Sequence, residues 1–125
     1  MQLILIIVVI LTRHSIPGAK HFRIYNDEDT GVVAVKIWLP ANSDIPAHGR
    51  IKEGKAAAVM VLSGDLELGM GDQFDANKLV HTPVGSVVIL TPGNDTHYGR
   101  TGHTPVELLQ IVGDADQFAV PLKND

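Results

Sequence analysis

Clusters of Gly, Pro, Asn and Asp interrupt this chain at short, regular intervals. After the first eleven residues they leave no uninterrupted stretch of the length an ordinary helix needs. Between them lie short runs rich in β-branched and apolar residues: His21–Tyr25, Val32–Leu39, Ala58–Leu62, Leu66–Met70, Ser86–Leu90 and Val106–Val112. Each reads as a strand bounded by turn chemistry. The turns fall at Asn26–Gly31, Pro40–Pro46, Ser63-Gly64-Asp65, Gly69–Gly71, Pro92–Asp95 and Gly102–Pro105. Gln73–Leu79 holds at most a helical turn and reads as a loop excursion. Many short strands at this spacing predict an all-β sandwich or barrel.

With 125 residues there is material for one domain and one core. Hydrophobic residues make up 45% against 19% charged, which suits a packed domain and argues against disorder. A net charge of -4 without a Lys/Arg cluster provides no electrostatic footprint for nucleic acid. The lack of cysteine removes disulfides, thiolate metal sites and cysteine nucleophiles together.

The N-terminal run MQLILIIVVIL, Met1–Leu11, is too short to span a bilayer as a helix. Two readings stand. One is a strand buried on both faces, since Ile, Val and Leu follow one another without helical periodicity. The other is a signal-like segment over residues 1–19, although no Lys or Arg precedes it and no A-x-A site follows. The first goes with a cytoplasmic protein, the second with an exported one. Residues 1–20 are therefore set apart as an N-terminal apolar segment from a domain over 21–125. As a strand, Leu3–Leu11 is too apolar for an open sheet edge, so a homodimer that pairs it with a neighbour's sheet is expected.

Two stretches narrow the fold. The first runs Leu39-Pro40, then Ile45-Pro46-Ala47-His48-Gly49-Arg50, then Val59 to Leu68 through the Ser63-Gly64-Asp65 turn. The second is Gly85-Ser86-Val87-Val88-Ile89-Leu90-Thr91-Pro92-Gly93-Asn94-Asp95-Thr96-His97-Tyr98. Together they resemble the two motifs of the cupins, G-x5-H-x-H-x3-4-E-x6-G and G-x5-P-x-G-x2-H-x3-N. The nearest resemblance is to small single-domain bacterial cupins of the RmlC-like superfamily, which carry an LPAG-x-x-IP-x-H opening and a G-M-G-D-x-F-D loop. Here those stretches read Leu39 to His48 and Gly69-Met70-Gly71-Asp72-Gln73-Phe74-Asp75. The resemblance spans about Val32 to Gly113 and implies a double-stranded β-helix, the jelly-roll barrel, around a pocket.

Metal-dependent cupins hold Fe, Mn, Ni or Zn with two His and a Glu from the first motif and a His from the second. Imidazole and carboxylate suit such ions, and open positions remain for substrate. By the resemblance, His48 and His97 stand at two of these positions. Arg50 stands at the second His, and Ala57 at the Glu. The ligand set is thus degenerate, and a permanent cation occupies one of its places. No resident cofactor is expected; the alternative is a divalent metal on His48 and His97, completed by Glu53, His81 or Gln110. Without ligation, the two histidines are pocket residues satisfied by hydrogen bonds.

If the barrel keeps the family register, Arg50 points inward beside His48, with His97 facing both across the pocket. A guanidinium so placed needs an anion, either Glu53 or Glu67 of the chain or a small carboxylate or phosphate. Gln110, polar within an apolar strand, is the remaining pocket candidate, although alternation leaves its face open. His14, His21 and His103 sit beside turns and read as solvated; Trp38, Met60, Phe74 and Phe118 read as core or pocket wall. Asp72 and Asp75 read as turn carboxylates. Three functions follow from the resemblance. They are a small-molecule-binding protein favouring a small organic anion, a metal-dependent dioxygenase, isomerase or lyase, and a structural or interaction domain.

Overall fold

The computed structural model describes residues 17–118, with side chains through Asp116. The run Met1–Leu11, with its expected strand pairing, and His14 lie outside the described residues, as does the side chain of Phe118.

Nine strands form: β1 Lys20–Asp27, β2 Val32–Leu39, β3 Asp44–His48, β4 Lys55–Ser63, β5 Leu66–Met70, β6 Val80–His81, β7 Val87–Leu90, β8 His97–Thr101 and β9 Val106–Asp114. A four-residue helix, α1 Ala115–Phe118, follows β9. A five-stranded sheet has the order β1-β2-β9-β4-β7, and a four-stranded sheet the order β3-β8-β5-β6. All pairings are antiparallel. β2 and β5 have the expected limits, because each is a β-branched or apolar run cut sharply by turn residues at both ends. β3 falls inside the Pro40–Pro46 turn expectation. It pairs only with β8, on the sheet edge, where Pro46 forfeits no ladder bond that a second neighbour would need.

Alternation sorts the side chains. Val35, Ile37 and Leu39 of β2 and Val59 and Val61 of β4 are buried at every second position and share the inner face. Ile45, Leu66 and Val106 join them in one cluster, while Ala57, Val59 and Leu90 form a second with Val88, Leu108 and Val112 packed on it. The barrel is closed at one turn by Gly64 (φ 95°), where a β-carbon would lie 2.1 Å from the Pro105 carbonyl oxygen. Thr101, 2% exposed, pins the β2–β3 connection: its hydroxyl donates to the Pro40 carbonyl at 2.7 Å and accepts from the Ser43 N–H at 2.9 Å.

Several aromatic and long residues lie elsewhere than expected. Met60 is 39% exposed on the outer face, opposite Leu109 and Val87. Trp38 pairs with Lys20 and Glu107 on that same outer face, so it is not core. Phe74 stacks 5.3 Å from Tyr98 over the outside of the smaller sheet. The loop that carries it holds a single 3-10 turn, Ala76–Lys78, capped by the Asp75 carboxylate on the Asn77 N–H. His21 is half-buried opposite Ile37, and burial holds its imidazole below the usual histidine value.

Candidate functional site

His48 and His97 are direct cross-strand partners on β3 and β8. A bulge between Ile45 and His48 makes this possible. Counted without it from the Ile45–Gly99 pair, Ala47 would face His97. The extra residue moves His48 into that place and onto the same face as its partner. The ring centroids stand 4.4 Å apart, tilted by 60°. The pair therefore lies side by side in one sheet, and not across the pocket as the sequence reading had it.

Both rings are held in the same way. His48 Nδ1 contacts the Pro46 carbonyl at 2.7 Å and His97 Nδ1 the Asp95 carbonyl at 2.7 Å. A carbonyl oxygen only accepts, so each Nδ1 carries the proton and each Nε2 keeps its lone pair. Burial, and then the neighbouring His48, hold the His97 imidazole below the usual histidine value, with the bond to the Asp95 carbonyl working against them. The site thus offers two neutral imidazoles, each presenting an acceptor.

Asp95 organises this arrangement and was read from sequence only as part of a turn. It is 8% exposed, and its carboxylate accepts the Ile51 N–H while its carbonyl orients His97. Gly49 completes the contact, with a β-carbon position 2.2 Å from the Asp95 carbonyl oxygen. The only sequence signal was the Gly-Pro-Asn-Asp density of both segments, which marks turns but not their meeting.

Arg50 does not sit inward beside His48. β3 ends at His48, and Gly49 takes a φ of 133°, so strand alternation does not carry through to Arg50, which is exposed. Among the described residues it forms no ion pair with Glu53 or Glu67. Glu53 is exposed in the turn before β4. Glu67 faces Arg100 across β5 and β8, and Arg100 is itself bonded to Asp44 at 2.7 Å. His81 pairs with Glu67 on the outer face of the smaller sheet, 3.8 Å from Asp65, away from the two histidines. Gln110 is settled by register: it lies between Val35 and Val59, both buried, on the inner face of the larger sheet.

The donor chemistry does not fit the four-ligand metal centre. Ala57, fully buried in the second core cluster, supplies a methyl group where a carboxylate is required, and Arg50 supplies a cation. Among the described residues no three His, Asp or Glu side chains are grouped to hold an ion.

The two-sheet architecture recurs in solved structures. The cupin domain of Cnp3 from Schizosaccharomyces pombe superposes with a TM-score of 0.61 at 16% identity, over 80% of this chain and 67% of that one. A double-stranded β-helix protein from Klebsiella pneumoniae gives 0.61 at 16% identity, over 85% and 88%. The chain has the cupin fold. A predicted oxalate decarboxylase from Thermotoga maritima is similar to the same cupin barrel, with a TM-score of 0.59 at 18% identity over 79% and 86%. No family model matches the sequence, and no curated protein matches it. Identities this low carry the cupin fold alone and leave the chemistry to the site.

Proposed function

We propose that this cupin binds a small organic anion against the paired imidazoles of His48 and His97, with Arg50 as the charge partner. The observation that carries this reading is the common tethering of both Nδ1 atoms, which leaves two fixed acceptors side by side on the barrel face. Fixed acceptors call for ligand donors, and the Arg50 guanidinium, without an ion-pair partner among the described residues, calls for an anion. A hydroxy acid meets both demands: hydroxyl to imidazole, carboxylate to guanidinium. Gln110, half-buried on the inner face, adds an amide able to donate and accept.

A thermal-shift series tests the proposal: short hydroxy acids, the matching carboxylic acids without the hydroxyl, and neutral polyols. A hydroxy acid at 100 times its Kd adds about 2.7 kcal/mol to stability. His97→Ala and Arg50→Ala each remove the shift. If polyols stabilise as strongly as acids, or if Arg50→Ala responds like the wild type, the anion reading is wrong.

A metal-dependent enzyme is the second reading. It rests on the same two Nε2 lone pairs, which suit a divalent ion whose other positions are filled from outside the chain.

A further inference from the structure

The outer face of the five-stranded sheet is apolar from one edge to the other. Tyr25, Ala34, Ile111, Ala58 and Ile89 form a single row across all five strands. In the adjoining row Phe22, Met60 and Val87 are exposed by 52%, 39% and 51%, and Tyr25 and Ile89 in the first row by 51% each. So much large apolar surface on one face marks an interaction site, since single exposed residues would be scattered. The charge on this face is largely spent within the chain: Lys36 bonds Glu107 at 2.9 Å, and Lys20 lies 5.0 Å above the Trp38 ring.

We propose that this face docks on the same face of a second copy of the chain. The shape is self-complementary. An open hollow of about 280 Å³ lies at the β1–β2 end between Phe22, Trp38, Lys20, Lys36 and Glu107. Exposed Met60, Val87 and Ile89 stand at the β4–β7 end. A two-fold axis through the sheet centre brings the ridge of each copy to the hollow of the other, as an isologous contact requires. The size is sufficient. Five strands at ~4.8 Å spacing and about 27 Å of strand length give on the order of 500 Å² of flat face per copy. Two such faces reach the roughly 1,000 Å² expected of a specific interface. A charged partner or an anionic lipid surface finds no free cluster of opposite charge here, so the observations favour the second copy. The homodimer expected from sequence used Leu3–Leu11; this one uses strands of the barrel itself, and it stands apart from the ligand reading.

Light scattering and sedimentation of the full-length chain at about 10–100 µM, the range in which a modest interface is populated, test the proposal. The wild type has twice the 13.5 kDa chain mass. Ile89→Glu and Met60→Glu, each at an outward position, weaken the dimer at least tenfold while the far-ultraviolet spectrum is kept. Tyr25→Ser serves as the second variant if Ile89→Glu does not fold, and Val80→Glu, exposed on the other sheet, leaves the mass unchanged. A monomeric wild type at 100 µM, or a dimer that survives both glutamates, overturns the proposal. Flotation of the monomer with phosphatidylcholine vesicles, lost in Ile89→Glu, overturns it as well and assigns the face to lipid.

Discussion

Gly49 passes so close to Asp95 that a β-carbon on it would lie 2.2 Å from the Asp95 carbonyl oxygen, the same oxygen that orients His97. Its φ of 133° adds a second reason why no larger residue fits. The obstruction is backbone, so it cannot swing aside as a side-chain tip would. Gly49→Ala is expected to destabilise the protein by about 2–4 kcal/mol, the sum of backbone strain and steric conflict. Urea denaturation measures it, and a change below about 0.5 kcal/mol, the scatter of ordinary surface substitutions, would remove Gly49 from the account.

The barrel was legible because its strands are bounded by turn residues, as β2 and β5 show most clearly. The site was less so, for three physical reasons. Pro46 reads as a turn residue, and only its edge position in the sheet makes it a strand residue. The bulge before His48 shifts the face of every later residue by one, and alternation counted from sequence has no means of finding it. Gly49 then ends the strand, which is why Arg50 is exposed and not inward. Gln110 shows the reverse case: its face was open to either choice until pairing with Val35 and Val59 decided it.

Thr101 is expected to be the most sensitive polar position in the smaller sheet. Its buried hydroxyl serves the Pro40 carbonyl and the Ser43 N–H together, so Thr101→Val keeps the shape and strands both groups. The expected loss is about 1–3 kcal/mol. Thr101→Ser, which keeps the hydroxyl, should recover a good part of it in the same denaturation measurement, and equal losses would assign the effect to packing.

The metal content of the chain is expected to be well below one ion per chain when it is purified without chelator or affinity metal. Ala57 and Arg50 hold two of the four ligand places, and two imidazoles alone bind divalent ions weakly enough to lose them in dilution. Elemental analysis by mass spectrometry decides it. Close to one Fe, Mn, Ni or Zn per chain, lost in both His48→Ala and His97→Ala, would show that ligands from outside the chain complete the site.

Stability is expected to fall as the solution is acidified from about pH 7.5 to 5.5, the range around the usual histidine value. His97 and His21 both have native values held below the ordinary 6.5, His97 first by burial and then by His48, His21 by burial. Between the native and the unfolded value the unfolded chain binds more protons, so the stabilising contribution is complete above 6.5. It is lost as the pH falls through 6.5 towards the native values, at no more than about 1.4 kcal/mol per pH unit for each group. Asp27 and Asp44 are also shifted, but downward from 3.8, so they titrate below this window and do not enter. The His48 neighbour makes the His97 titration a property of the pair, and His48→Asn should therefore flatten the profile as well as His97→Asn. Melting temperatures of the wild type and the two variants across the range supply the test. A wild type that gains stability on acidification would mean that protonation of the pair is favoured by folding, the opposite of what its burial implies.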